Sequence, residues 1–325
     1  LYAVALYAAC AIVVLVVLAR ALPAWVAMTG ALLFAVHPLH VESVANVAGS
    51  AELVAALASL GCLLVLARAL ERTPAPLAIG WRPAIAGAGL FAIAIGAKES
   101  AATVPALAAL YAWGWRVPGE PVPDARSVLA RGWRAWAAFV AVLAGMLVAR
   151  RGVVGGFSPP ASALAVGIEG ERFAERWWTM TAAWPRVGHL LMWPSQLSMH
   201  YGPTTIIPYH AVTTAALFAI AGVAVVVLAA IAMARRGDRR PLVAVGVIVL
   251  GYLAASNILV PTGQLLAERT LYFSSVGAVM LVTWVIARAA SLPATAQRAV
   301  VTVVVAATIA GAVVSARRAR VWSSE

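Results

Sequence analysis

Residues 83–113 read PAIAGAGLFAIAIGAKESAATVPALAALYAW. Two apolar runs, Pro83–Gly96 and Ala101–Trp113, flank the charged pair Lys98-Glu99. Each run approaches the length of about 20 apolar residues that crosses roughly 30 Å of hydrocarbon. A lysine and a glutamate at their junction must face protein, water or headgroups, because ionisable groups at membrane depth are costly and mark sites by default. Lys98 is also the single lysine in a chain with 23 arginines, which points to a need for a compact ammonium rather than a planar fork.

The rest of the chain agrees with this reading. Of 325 residues, 63% are hydrophobic and 11% charged, and the mean hydropathy is +0.92. A soluble domain of this length needs more charge on its surface. The expected fold is all-α, a polytopic helical membrane protein forming a single transmembrane domain over 1–325. About ten spans are predicted, at 3–19, 24–37, 51–69, 83–97, 100–115, 133–149, 211–234, 241–256, 270–288 and 299–315. A long stretch, 150–210, rich in Pro and Trp, separates the sixth span from the seventh. The formal charge of +12 is read as loop topology and not as a nucleic-acid footprint. Cys10 and Cys62 fall inside apolar runs and read as small hydrophobes rather than a disulfide framework. The opening at Leu1 and the ending just after a basic cluster read as the ends of a piece of a longer protein.

Fourteen arginines fall in one set of mostly short loops, from Arg20 through Arg298. The other set holds ten basic residues, five of them in the long stretch and three in the Arg317–Arg320 cluster. The positive-inside rule makes the first set cytoplasmic. It therefore predicts that His37, His40, Glu42, Glu52, Lys98, Glu99, His200, Glu268 and Arg269 all gather on the extracytoplasmic face, together with the C-terminus. Arginine in place of lysine, with abundant alanine, points to a GC-rich bacterial genome and hence a plasma membrane.

Each cluster also has a plainer reading. In His37-Pro38-x-His40-x-Glu42 the proline breaks the helical face that two metal-binding histidines would share, so a polar site wall is favoured over a metal centre. Glu52 can serve the dipole of the helix it starts, and so can Glu99. Arg269 can grip a phosphate with its donor fork or sit among lipid headgroups. The stretch Glu169–Trp178, with charges at 171, 172, 175 and 176 and aromatics at 173 and 177, suits an outward helix lying in the interface plane.

Five stretches in order carry a family likeness. They are Leu33–Glu42 followed by Gly49–Leu53; Lys98-Glu99-Ser100; Leu191–Pro194 with Leu197-Ser198; Ser256–Leu259; and Ala267–Tyr272. Together with Arg317–Trp322, where repeats would begin, they resemble the transmembrane O-mannosyltransferases with tetratricopeptide repeats. The resemblance implies a GT-C-type glycosyltransferase that moves a sugar, mannose, from a polyprenyl-phosphate donor to protein hydroxyls outside the cytoplasm. Its partners would be membrane lipid, the lipid-linked donor and a protein acceptor, with no nucleic acid. On this reading Glu42, Glu52 and Glu99 are supporting catalytic carboxylates, and His37, His40, Lys98, Glu268 and Arg269 bind substrate and phosphate. No metal ligands are assigned and no cofactor is specified, although the chemistry is compatible with a divalent metal. Two departures bear on activity. The chain begins beyond the first outer loop, where the family carries its acidic motif, and His200 stands where an aspartate is expected. The piece alone is therefore expected to be inactive. The competing readings are a transporter or flippase of lipid-linked glycan, and a non-catalytic membrane anchor for external repeats.

Overall fold

The computed structural model describes residues 1–117, 119, 123–155, 164–198 and 201–322. His200 lies outside these residues, as does part of the long stretch. Helices α1 (Tyr2–Ala19) and α2 (Ala24–Ala35) form a hairpin, and a short α3 (Val41–Ala45) leads into α4 (Ser50–Arg72). Then follow α5 (Trp81–Ala97), α6 (Val104–Gly114), α7 (Ala125–Arg131) and α8 (Trp133–Val154). The long stretch contributes α9 (Phe173–Ala182) and α10 (Trp184–Met192). The chain continues through α11 (Thr214–Arg235), α12 (Arg240–Leu253), α13 (Tyr272–Ala289) and α14 (Ala294–Trp322). Among the described residues there is no strand, only one antiparallel bridge between Tyr201 and Leu266. Helices are what lipid demands, because each satisfies its backbone polar groups within itself.

Six of these segments are long and apolar enough to cross a membrane: Tyr2–Ala19, Val47–Arg72, Trp133–Val153, Thr214–Arg235, Glu268–Ala289 and Ala294–Trp322. The bent pair Ala24–Ala35 and Pro38–Ala45, at 48°, adds a seventh if counted as one span. The chain is thus a helical membrane protein with about six apolar spans among the described residues, and the sequence count of ten is met only in part. The shortfall has local causes. Pro38 disfavours helix at His37, which sits at φ −70° and ψ 121° and ends the second apolar run early. Segments 83–97 and 241–256 become helices of 17 and 14 residues. Segment 100–115 divides into a 3-10 turn, Glu99–Thr103, and an 11-residue α6.

The main core joins α1, α2, α4, α5, α6, α12 and α13 through Cys10, Leu18, Phe34, Leu63, Phe91 and Tyr111, with α4 enclosed along most of its length. Small residues let the helices approach closely. A Cβ on Gly277 of α13 would stand 2.7 Å from Ala244 O and Ile248 N of α12. By contrast α11 and α14 leave Phe218, Val225, Val303 and Ile309 exposed, as lipid-facing helices do. A second cluster packs Met180 of α9 and Leu190 of α10 against Leu39, Tyr201 and Leu271.

The bundle has two chemically distinct ends. Glu52 and Glu71 start and finish α4, roughly 28 Å apart at 1.5 Å per residue. Around Glu71 gather Arg20, which pairs with it directly, and Arg116 at 3.7 Å. There too Arg240 binds Asp238 at 2.7 Å and donates to the Ala21 carbonyl at the end of α1. The opposite end carries Lys98, Glu42 and Arg269.

Candidate active site

The site is built from breaks in helices. After α2 stops, residues Pro38–His40 make a 3-10 turn and α3 follows, so Glu42 enters the bundle end rather than continuing the helix. Asn46 closes the next turn by accepting from Ala48 N at 2.9 Å. Gly49 makes the turn possible, since a Cβ there would stand 2.6 Å from the Ser43 Cα and carbonyl oxygen and 2.8 Å from Glu42 O. This folding-back places Glu42 beside Glu52, in the first turn of α4. On the facing side, Lys98 is extended at φ −152° and ψ 128° between α5 and its 3-10 turn. Arg269 sits in another 3-10 turn, Glu268–Leu271, at the mouth of α13.

These breaks bring two ion pairs together. Lys98 Nζ lies 2.9 Å from Glu52 Oε1, with Lys98 34% exposed and Glu52 8%. Arg269 donates from Nη1 to Glu42 Oε1 and from its backbone N to Glu42 Oε2 at 2.9 Å. Its Nη2 donates to Gln264 Oε1 at 2.8 Å. Glu42 is 2% exposed and Arg269 16%, so carboxylate and guanidinium are removed from water as a unit. Glu52 lies within electrostatic reach of both Glu42 and Arg269, which makes the two pairs one alternating cluster.

Glu268 takes a different place from Arg269. It is fully buried, and its Oε1 accepts from Ser198 N at 2.7 Å and from the Tyr201 hydroxyl at 2.9 Å. Arg318, from the distant end of α14, reaches the same oxygen at 3.5 Å. Burial, together with the Glu268 carboxylate, pushes the Tyr201 phenol above its ordinary value, so it remains a donor. Glu268 therefore ties the end of the long stretch and α14 to the turn that presents Arg269.

The two histidines are enclosed. His40 Nε2 lies 2.8 Å from Ser275 Oγ, and its Nδ1 lies 3.0 Å from Phe34 O and 2.9 Å from the Tyr7 hydroxyl. His37 Nε2 meets Leu191 O at 3.2 Å. Both rings bind neighbouring segments together, and they are not drawn into the Glu42–Arg269 cluster. Among the described residues no three His, Cys, Asp or Glu side chains gather as metal ligands.

Lys98, Glu99, Arg150, Gln264 and Arg269 line one groove of about 670 Å³, together with the apolar Ile95, Leu143, Leu147 and Leu253. Glu99 is 69% exposed and pairs with Arg150 from the end of α8. It is the one carboxylate among the described residues lining this groove. A second groove of about 600 Å³, almost wholly apolar, runs between α2, α13 and α14 and ends at His37, Pro38 and Trp193.

Sequence reasoning missed Arg150, Gln264, Tyr201, Arg318 and the part played by Asn257. Asn257 stands at φ 58°, a conformation its short polar side chain tolerates. Its Nδ2 donates to Gln264 O and Leu265 O, and its Oδ1 accepts from Thr262 N and Oγ1, so it shapes the loop that delivers Gln264. A lone Asn in Ser256-Asn257-Ile258 at a helix end was the signal available. Nothing local distinguished Arg150 from the other arginines.

Fold and site together define a helical membrane protein with a charged groove at one end of its bundle. No family model matches the chain, and no solved structure matches it. Among curated proteins it is similar to Protein O-mannosyl-transferase TMTC3 of Mus musculus, at 27% identity over 276 residues. The match takes in 78% of this chain and 29% of that protein, so the chain spans less than a third of the relative's length. The chain is a distant homologue of an O-mannosyltransferase.

Proposed function

We propose that this chain forms the membrane part of a GT-C-type glycosyltransferase that moves mannose from a polyprenyl-phosphate donor to protein hydroxyls on the extracytoplasmic face. The observation that carries the reading is the groove itself. Two cations, Lys98 and Arg269, are each held by a buried carboxylate and line a cavity whose lining is otherwise largely apolar. A lipid-linked phosphate has that character, an anionic head on a hydrocarbon tail.

In the reaction the bond from sugar C1 to the phosphate oxygen breaks and a bond from C1 to the acceptor oxygen forms. The acceptor proton passes to a carboxylate, and the phosphate leaves with one more negative charge. Lys98 and Arg269 stabilise that developing charge, and fixed donors aimed at developing charge are the largest single contribution in such sites. Glu42 and Glu52 hold the cations in place, so no reorganisation is needed as the charge appears. The basic loops, gathered at the opposite end, support an outward-facing groove by the positive-inside rule.

The test uses membranes carrying the full-length protein, polyprenyl-phosphate mannose and a Ser/Thr-rich acceptor. Wild type is expected to transfer the sugar. Lys98→Ala and Arg269→Ala are each expected to lose roughly a hundredfold in rate, the usual cost of removing one such donor. Full activity in both variants would refute the site assignment. Absence of transfer by the wild type would favour a glycan transporter or a membrane anchor.

A further inference from the structure

The Arg150–Glu99 pair differs in kind from the two pairs beside it. Glu42 and Glu52 are buried, and neither can leave its cation without stranding a charge away from water. Glu99 is 69% exposed, so it can leave the pair for water at little cost, while Arg150, 22% exposed, stays against the groove. The pair also joins two elements far apart in sequence, the 3-10 turn after Lys98 and the end of α8. Arg150 lines the same groove as Lys98 and Arg269. The groove wall thus holds two cations fixed by buried acids and a third held by an acid that water can reach.

We propose that Arg150 is a third ligand of the donor phosphate, and that Glu99 holds its guanidinium until the phosphate takes Glu99's place. A phosphate is a stronger competitor for arginine than a solvated carboxylate. The donor's phosphodiester presents two unesterified oxygens in the bidentate geometry that a guanidinium prefers, as a carboxylate does, and Lys98 and Arg269 beside it add an attraction that Glu99 does not have. The exchange leaves the Glu99 carboxylate in the groove without its cation. This inference rests on the polyprenyl-phosphate donor of the proposed function.

The test measures binding of a polyprenyl phosphate carrying no sugar to the purified full-length protein in detergent, alongside transfer kinetics. Arg150→Ala is expected to weaken binding about tenfold and to raise the KM for the donor, with Arg150→Lys recovering part of the loss. Glu99→Gln is expected to tighten binding roughly threefold, because the competitor for Arg150 is gone. If both substitutions weaken binding alike, the pair is a structural clamp and the inference fails. It fails equally if both bind as the wild type does. If the wild type itself does not bind the lipid phosphate, the donor reading fails first. Monodispersity and thermal unfolding of each variant identify any loss that comes from misfolding, and in that event the Arg150→Lys and Glu99→Gln pair decides the outcome.

Discussion

The Glu42–Arg269 pair makes the sharpest stability prediction. Glu42→Gln removes the carboxylate charge but keeps its volume and one oxygen for the backbone N of Arg269. The guanidinium, only 16% exposed, is then left with Gln264 as its neutral partner. Arg269→Met does the reverse, leaving a buried carboxylate with a single backbone donor. Breaking a buried pair from one side costs about 3–5 kcal/mol. The Gln264 contact and the residual exposure of Arg269 place the loss near the lower end, about 3 kcal/mol for either substitution. The double variant strands no charge and should lose far less than the sum, giving a coupling of about 2 kcal/mol or more. Thermal unfolding in detergent, followed by the fluorescence of the 12 tryptophans, should show each single variant lower by roughly 5 °C. Additive losses, or single variants that unfold with the wild type, would mean that the two side chains are not a coupled buried unit.

Two further outcomes follow from packing and protonation. Gly277→Ala should destabilise by about 2 kcal/mol or more, because its Cβ meets backbone atoms of α12 that cannot yield without separating the helices. Gly145→Ala on α8, where a Cβ meets nothing within 4 Å, should be neutral or slightly stabilising, so equal unfolding temperatures for the two variants would contradict the packing. At the opposite bundle end, burial alone would raise the Asp238 carboxyl, but hydrogen bonds from Arg240 and Trp284 outweigh it and hold the group below its usual value. A depressed folded value adds stability that is present above the ordinary aspartate range, about 3.9, and lost as pH falls through the lower folded value. Asp238→Asn should therefore unfold earlier than wild type at neutral pH and converge with it in acid. A gap that persists undiminished at low pH would show that the effect does not come from the carboxylate charge.

Much of the fold was legible because lipid imposes a simple rule. A run of apolar residues must become a helix, and the predicted spans 51–69, 133–149, 211–234 and 270–288 are formed by α4, α8, α11 and α13, the last two starting two or three residues late. The count of ten spans is met only in part, because the backbone breaks at several span ends. At Pro38 the break was readable from the proline, but at Lys98 the chain could equally have turned in a tight hairpin. The 3-10 turn after Lys98 packs against α12 and is tied to the end of α8 by the Glu99–Arg150 pair, partners remote in sequence. In the long stretch the sequence suggests an interfacial helix at Glu169–Trp178, and the described residues hold two, α9 and α10, seated on a core that includes Leu39 and Leu271 from elsewhere in the chain.

The sequence by itself determined that this is a helical membrane protein and that its chemistry-bearing residues lie at the ends of helices, because charge is expelled from hydrocarbon wherever the chain allows. It could not determine the partners. Glu268 and Arg269 are adjacent, as are Lys98 and Glu99, yet neither couple pairs internally. Arg269 instead takes Glu42, 227 residues away, and Lys98 takes Glu52, while Glu99 turns outward to Arg150 and Glu268 inward to Ser198, Tyr201 and Arg318. Neighbours on a turn point in different directions, so each partner is chosen by the helix that packs opposite, and that choice is made only when the bundle closes.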